Sequence, residues 1–138
     1  MVRNVRGLQG WLDLLEDMSE TLKAEVKTAL DANAADLCEG IKSAAPVSEF
    51  DTHPGQLKDS VHVIDGRHEL QRYVVIDAKD AKGEYYAAHV EFGYLTPDGK
   101  HVPAHPFAFP VRHLLQRSFN NRIREAVRRA TSKKAADV

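Results

Sequence analysis

One long apolar stripe constrains this chain more than any other feature of its sequence. The residues that share one helical face from position 8 to position 41 are apolar except for a serine: Leu8, Leu12, Leu15, Ser19, Leu22, Val26, Leu30, Ala34, Leu37 and Ile41. This spacing predicts an amphipathic helix over residues 8–45, with Gly40 as a weak point and Pro46 as its stop. An unbroken helix of that length extends about 55 Å at about 1.5 Å per residue. The stripe therefore packs within the monomer or, in its overhanging part, on a neighbouring subunit.

The middle of the chain has the pattern of short antiparallel strands. Residues 46–56 collect turn formers and predict a loop. Residues 57–65 predict a first strand, and the hairpin pair Asp65-Gly66 leads to a partner over residues 70–78, which is rich in β-branched and aromatic side chains. Residues 85–92 alternate in polarity and predict a third, half-buried strand. These segments together predict a small antiparallel sheet.

A proline-rich segment follows the predicted third strand. Residues 94–102 predict a projecting hairpin, because Pro97-Asp98-Gly99 favours a tight reversal of the chain. Prolines then interrupt backbone donation at short intervals, while two phenylalanines add apolar surface: Pro103, Pro106, Phe107, Phe109 and Pro110. A stiffened segment that carries aromatic rings is more suited to docking on another protein than to chemistry.

The end of the chain predicts a second amphipathic helix. Apolar residues recur at helical spacing from Val111 to Ala130, so we expect a helix over residues 108–131 and a frayed tail after it. The order is helix, antiparallel strands, projecting hairpin and helix. That order predicts the α+β class, with residues 1–138 forming a single domain and the sheet and hairpin occupying residues 56–105.

Composition excludes several classes of protein. An apolar fraction of 43% and a charged fraction of 28% are typical of a globular chain and not of a disordered one. Cys38 is the only cysteine, so an intrachain disulfide is excluded, and so is a zinc site built on several cysteines. No apolar run approaches the roughly 20 residues that span a bilayer. We therefore expect a protein made in the cytoplasm, with no membrane partner and no cofactor.

The histidines suggest metal or acid–base chemistry only weakly. His101 and His105 stand four apart, but Pro103 between them opposes helical ligation. His89 and Glu91 would share one face of a strand, either as an acid–base pair or as a structural pair. A metal hydrolase that uses His89, Glu91 and His101 is the weakest hypothesis, and we predict no catalytic and no metal-binding residues.

The last helix concentrates positive charge. Arg117, Arg124 and Arg128 share one helical face outside the apolar stripe. Three interpretations remain open: a solvated face favoured by the helix dipole, a face that pairs with the acidic first helix of a neighbouring subunit, or a face that meets DNA in a channel. A platform for stacking single strands is disfavoured, because aromatic residues are not interleaved among the arginines.

Four short motifs then occur in order along the chain: Ala45-Pro46-Val47, Gly55 with Leu57 and Ser60, Tyr86-Ala87 with Val90-Glu91-Phe92-Gly93, and Pro103-Ala104-His105-Pro106-Phe107. In this order the series resembles the gene-product-ten-like neck and tail-completion proteins of long-tailed bacteriophages, over roughly residues 20–130. The resemblance implies a structural virion protein without enzymatic activity, made in the bacterial host cytoplasm. It also implies a homo-oligomeric ring, a hexamer, at the head–tail junction between connector or stopper proteins and the tail tube, with DNA as a partner only in the channel.

A ring requires contact surfaces, and the central segment supplies the candidates. We predict that these residues contact a neighbouring subunit or partner: Tyr86, Glu91, Phe92, Gly93, Tyr94, Pro97, Asp98, Pro103, Pro106, Phe107 and Phe109. Glu91 is expected to anchor the base of the hairpin through backbone hydrogen bonds. The alternative function is a small nucleic-acid-binding or DNA-processing protein that uses the basic last helix.

Overall fold

Two long antiparallel helices form one side of the molecule. The computed structural model describes the backbone of residues 20–136 and the side chains of residues 20–132. Helix α1 spans Glu20–Ala44 and ends before Pro46, as expected, while residues 8–19 of the predicted helix lie outside the described residues. The last helix, Phe109–Ala136, packs along α1. The described part of the apolar pattern, from Glu20 onward, is thus helical, and the α+β class is confirmed.

Small residues allow the two long helices to approach closely. Ala29 and Ala34 of the first helix and Ala126 and Ala130 of the last are buried. Gly40 does not interrupt α1. A Cβ on Gly40 would lie 2.6 Å from the Val111 Cγ1 atom. Glycine is therefore required here because the close packing of the two helices leaves no room for a side chain, and not because the helix must bend.

A two-stranded ribbon packs on α1. Strand β1, Val61–Asp65, pairs antiparallel with β2, Arg72–Ile76, in the register Val61↔Ile76 to Asp65↔Arg72. The expected hairpin after Asp65 is confirmed, but its connection is the longer loop of residues 66–71. A salt bridge connects the ribbon to the first helix, because the Nε atom of Arg72 lies 2.7 Å from the Asp31 carboxylate.

The predicted first strand begins later than expected. Gln56–Asp59 forms one helical turn, α2, in which the Asp59 amide donates to the Gly55 carbonyl at 2.9 Å. Leu57 is fully buried at the inner side of this turn. A short apolar pattern is compatible with either a strand or a helix, and here burial of Leu57 in the central core favours the helical turn.

The predicted third strand is wrong in type. Ala87–Phe92 is a short helix, α3, and its buried residues Val90 and Glu91, with Tyr86 just before it, follow helical rather than alternating spacing. Two adjacent alanines favour this helix. The alternation of polarity over residues 85–92 was therefore accidental, since Ala88 and Phe92 are exposed where a strand would bury them.

The expected hairpin follows α3 and leads to the last helix. Strands β3, Tyr94–Leu95, and β4, His101–Val102, pair antiparallel around the turn, and α4 then runs from Phe109 to Ala136. The central core lies where these parts meet the long helices and the ribbon. Its buried members are Cys38, Ile41, Leu57, Val61, Ala78, Tyr86, Val90 and Phe107.

Candidate assembly surfaces

Glu91 connects α3 to the beginning of α4. Its side chain is 5% exposed and accepts three backbone hydrogen bonds, from the amides of Phe107 at 2.8 Å, Ala108 at 3.0 Å and Phe109 at 3.0 Å. A carboxylate at a helix amino terminus satisfies amides that have no partner within the helix and complements the helix dipole. The prediction that Glu91 accepts backbone hydrogen bonds is confirmed, although the donors lie at the start of α4.

Gly93 determines how closely the hairpin folds back on itself. Its φ is 73°, and a Cβ there would lie 2.6 Å from the Val102 carbonyl oxygen and 2.9 Å from the Ala104 nitrogen. Any other residue would both strain the backbone and collide with neighbouring main chain. The hairpin thus leaves α3 at a fixed angle.

The hairpin turn is closed by backbone and side-chain hydrogen bonds. The Thr96 amide donates to the Lys100 carbonyl at 2.9 Å, the Gly99 amide donates to the Thr96 carbonyl at 2.9 Å, and the Thr96 hydroxyl donates to Asp98. Pro97 and Asp98 lie exposed at the tip. The turn predicted from Pro97-Asp98-Gly99 is confirmed, and its tip is accessible to a partner.

Exposed aromatic rings form a ledge on one side of α3. We define the aromatic ledge by Tyr85, Phe92 and Phe109, which are 64%, 64% and 52% exposed. The rings of Phe92 and Phe109 lie 5.5 Å apart. Val74 and Ile76 of β2 line the depression beside them. Clustered apolar rings of this kind are typical of protein contact surfaces.

A second depression lies between the hairpin and the loop after α1. We define the hairpin groove by its lining residues, Pro46, Val47, Ser48, Glu49, Phe50, His89, Val90, Tyr94, Val102, Pro103 and His105. The rings of Phe50 and His89 each lie near that of Tyr94, at centroid distances of 5.5 Å and 5.1 Å. Val47 on this groove and Leu95 on the neighbouring strand are 74% and 69% exposed.

One tyrosine of the groove has an altered acidity. The Tyr94 hydroxyl donates to the Glu49 carboxylate at 2.9 Å, and this hydrogen bond is the largest cause of a raised pKa for Tyr94. The bond is exposed to solvent, so it orients the ring and contributes little stability. Tyr94 is thereby held across the groove toward the loop after α1.

The aromatic ledge and the hairpin groove lie on opposite sides of α3. Ala87, Ala88 and Phe92 line the depression at the ledge, whereas His89 and Val90 line the groove. At about 100° per residue, these two sets of positions point in different directions from the same short helix. One chain therefore presents two separate apolar surfaces.

The predicted contact residues divide into exposed and interior ones. Phe92, Pro97, Asp98, Pro103, Pro106 and Phe109 are exposed, and Gly93 and Tyr94 are half-buried. Tyr86, Glu91 and Phe107 are buried inside the chain at 0%, 5% and 1% exposure. These three support the surfaces from beneath, so the exposed and half-buried residues are the ones available to a partner.

The hypothesis of a His89–Glu91 pair depended on a strand that is not there. In α3 the Glu91 carboxylate points inward and accepts hydrogen bonds from the amides at the start of α4. The His89 side chain lies on the other side of α3, is exposed to solvent, and has its ring near those of Phe50 and Tyr94. Among the residues that the structure describes, no group of three or more His, Cys, Asp and Glu side chains is arranged to hold a metal ion. The proposed strand geometry for acid–base chemistry is therefore wrong.

The basic residues of α4 fall on two faces. Arg122 and Arg129 face α1, where Arg122 Nη2 lies 2.8 Å from Asp36 and Arg129 Nε lies 3.4 Å from Glu25. Arg117, Arg124 and Arg128 are exposed on the other face, and Arg128 pairs with Glu125 of its own helix at 2.7 Å. The predicted grouping of these three arginines is consistent with the helix.

In the part of the chain that is described, no helix is long and apolar enough to cross a membrane.

Several residues that shape the surfaces were missed at the sequence level. Asp51 accepts a hydrogen bond from the hydroxyl of buried Tyr86, and Phe50 packs between Tyr86 and Tyr94. Both lie in a loop with no periodicity, so only contacts with a distant segment identify them. The exposed apolar residue Val47 was also missed as a surface residue, although its position beside Pro46 was a usable indication.

The comparisons with known proteins give one family. Residues 12–93 match the family described as "Bacteriophage HK97-gp10, putative tail-component". The match includes α1, the ribbon and α3 and ends at Gly93, so the hairpin and α4 follow the matched region. No curated protein and no solved structure matches the chain.

Proposed function

The chain belongs to the HK97-gp10-like family of phage tail components, and from that premise we propose that it assembles into a closed ring at the head–tail junction. In this proposal the ring is a hexamer that docks between the connector or stopper proteins and the tail tube. The protein acts by binding other protein chains and catalyses no reaction. A tail component must contact other virion proteins, so the question is which surfaces make those contacts.

The observation that carries the proposal is the pair of separate apolar surfaces on opposite sides of α3. A closed ring needs a heterologous contact, in which one surface of a subunit meets a different surface of the next. We assign the aromatic ledge to one side of this contact and the hairpin groove, with Leu95 beside it, to the other. Aromatic residues are enriched in the buried centres of such interfaces, which fits the ledge.

The rigid base of the hairpin supports this arrangement. The amide of His105 donates to the Val90 carbonyl at 2.8 Å, and Glu91 holds the chain again at residues 107–109. A preorganised surface loses less conformational entropy on binding than a mobile one. The orientation of one subunit on the next would thus be set before assembly.

The first experiment measures mass against concentration. We expect the wild-type chain to form a species six times its monomer mass by light scattering coupled to size exclusion. Phe92→Ser should remain monomeric with an unchanged circular dichroism spectrum, because Phe92 is 64% exposed and contributes little to folding. Tyr73→Ser is the matched control, since Tyr73 is also an exposed ring but points away from Val74 and Ile76.

A mixing experiment separates a heterologous contact from a symmetric one. Phe92→Ser disrupts the ledge but keeps the hairpin groove, whereas Leu95→Ser keeps the ledge and disrupts the apolar surface beside the hairpin groove. If the ledge of one subunit binds the hairpin of the next, the two monomeric variants form a dimer when mixed. If the ledge instead binds a second ledge, Leu95→Ser assembles by itself and mixing adds nothing. A wild-type chain that stays monomeric at every concentration would refute the ring.

The position in the virion requires imaging. Labelled antibody against this chain should mark the neck of purified particles by electron microscopy. Labelling along the tail tube or at the distal tip would contradict the head–tail junction while leaving the family assignment intact.

A further inference from the structure

The face of α4 that points away from α1 carries unbalanced positive charge. Arg117, Arg124 and Arg128 are exposed and lie opposite buried Ala126 and Ala130, at about 100° per residue around the helix. They span about 16 Å along the helix axis, at about 1.5 Å per residue. Glu125 is the only acidic residue of α4, although the whole chain has a formal net charge of −1. Positive charge is therefore concentrated in α4, and on this face Glu125 offsets only Arg128.

The same face contains a shallow groove lined by hydrogen-bond donors. Its lining residues are His113, Gln116, Arg117, Asn120, Asn121 and Arg124. Each of these side chains carries at least one N–H group, and none is a carboxylate. Arginine and side-chain amides are the groups that proteins use to contact phosphate oxygens.

We propose that this face of α4 binds the sugar–phosphate backbone of duplex DNA. Arginine suits this role because its planar fork matches two phosphate oxygens at once. A single strand fits this face less well, because the groove is lined by no Phe, Tyr or Trp side chain on which its bases could stack. We expect this binding to be independent of base sequence, because contacts to phosphate and sugar carry no direct sequence information.

The acidic first helix of a neighbouring subunit fits this face less well. Three of the α1 carboxylates are already engaged within their own chain: Glu25 with Arg129, Asp31 with Arg72, and Asp36 with Arg122. A neighbour would have to break these pairs before these three carboxylates could supply their charges. Binding to the phosphate backbone exchanges one such pair, that of Arg128 with Glu125, and releases the counterions of the DNA into solvent.

The test uses the full-length chain and a fluorescently labelled duplex DNA of thirty base pairs. Each contacted phosphate lowers the logarithm of affinity by about 0.9 per tenfold increase in salt, so three contacts predict a slope of about −2.7. Fluorescence anisotropy should therefore show about a fortyfold loss of affinity between 50 and 200 mM salt. Absence of binding at 20 mM salt overturns the proposal.

The variants locate the binding surface. Replacement of Arg117, Arg124 and Arg128 by glutamine should reduce affinity at 50 mM salt at least thirtyfold and remove most of the salt dependence. The matched control replaces exposed Lys58, Lys82 and Lys100 by glutamine, which changes the net charge equally. Equal losses in the two triple variants would show that overall charge, and not this face, attracts DNA.

Two further readouts distinguish the competing partners. If the arginine variant loses its oligomeric mass while its DNA binding is unchanged, the face is a contact between subunits and the proposal is wrong. Tighter binding of single-stranded DNA or of duplex RNA than of duplex DNA would also overturn it. Because mass and DNA binding are measured separately, failure of this proposal leaves the proposed ring unaffected.

Discussion

Different interactions stabilise two regions of the molecule, the pair of helices α1 and α4 and the segment from Tyr86 to Phe109. In the helix pair, backbone hydrogen bonds are local and the side-chain contacts follow helical spacing. In the segment, the decisive hydrogen bonds connect residues far apart in sequence: Tyr86 to Asp51, His105 to Val90, and the amides of residues 107–109 to Glu91. The conformation of the helix pair is therefore determined by periodicity, and that of the segment by single side chains.

If that difference is real, removing one carboxylate should damage the segment severely. Glu91→Ala leaves three amides at the start of α4 without their acceptor, and we expect a loss of about 3 kcal/mol in the free energy of unfolding. Glu91→Gln keeps one acceptor oxygen and should lose less. Urea denaturation followed by circular dichroism measures both.

Glu84→Ala serves as the control, because Glu84 is exposed and its substitution should change stability by less than about 0.5 kcal/mol. Hydrogen exchange at residues 107–109 should accelerate in Glu91→Ala. If Glu91→Ala and Glu84→Ala were equally stable, the carboxylate would not determine the conformation of the segment.

A second test concerns the tyrosine at the other end of the segment. Burial, and then the hydrogen bond to Asp51, raise the pKa of Tyr86 well above its ordinary value of 10.0. The folded state thus keeps a proton that the unfolded state loses, so the stabilisation is complete below pH 10 and decreases as pH rises above it. Tyr86→Phe should lower stability by about 2 kcal/mol at neutral pH and flatten this alkaline decrease.

Tyr94→Phe is the matched change at a half-buried tyrosine whose hydroxyl hydrogen bond is exposed to solvent. Its hydroxyl bonds to Glu49 in solvent, so we expect almost no change in the free energy of unfolding. Thermal unfolding between pH 8 and pH 11 compares the two variants. An alkaline decrease that persists in Tyr86→Phe would assign it to another group.

A smaller effect than for Glu91 or Tyr86 is expected in the helix pair, where packing and intrinsic propensity oppose each other. Gly40→Ala should gain about 1 kcal/mol from helix propensity. It should also cost about 1–3 kcal/mol through the collision with Val111, which gives a modest net loss of stability. The same substitution in a Val111→Ala background should become neutral or stabilising. Equal effects in both backgrounds would exclude the contact as the cause.

The sequence predicted most of the fold, because its strongest patterns are satisfied locally. The apolar spacing and Pro46 gave α1 and its end, the spacing after Phe109 gave α4, and the turn residues gave both hairpins. The candidate surfaces were predicted only in part. Phe92, Phe109 and the hairpin tip are exposed as a contact requires, but Tyr86 and Phe107 are interior.

By itself, the sequence determined the long helices, the hairpins and the location of the unusual segment, since backbone geometry follows from spacing, proline and glycine. Only the tertiary structure decided that residues 87–92 are helical, that Glu91 points inward, and that two apolar surfaces flank α3. The physical reason is the length of the segment. Six residues satisfy too few of their own hydrogen bonds to specify a conformation, so distant partners such as Asp51 and the first amides of α4 select it.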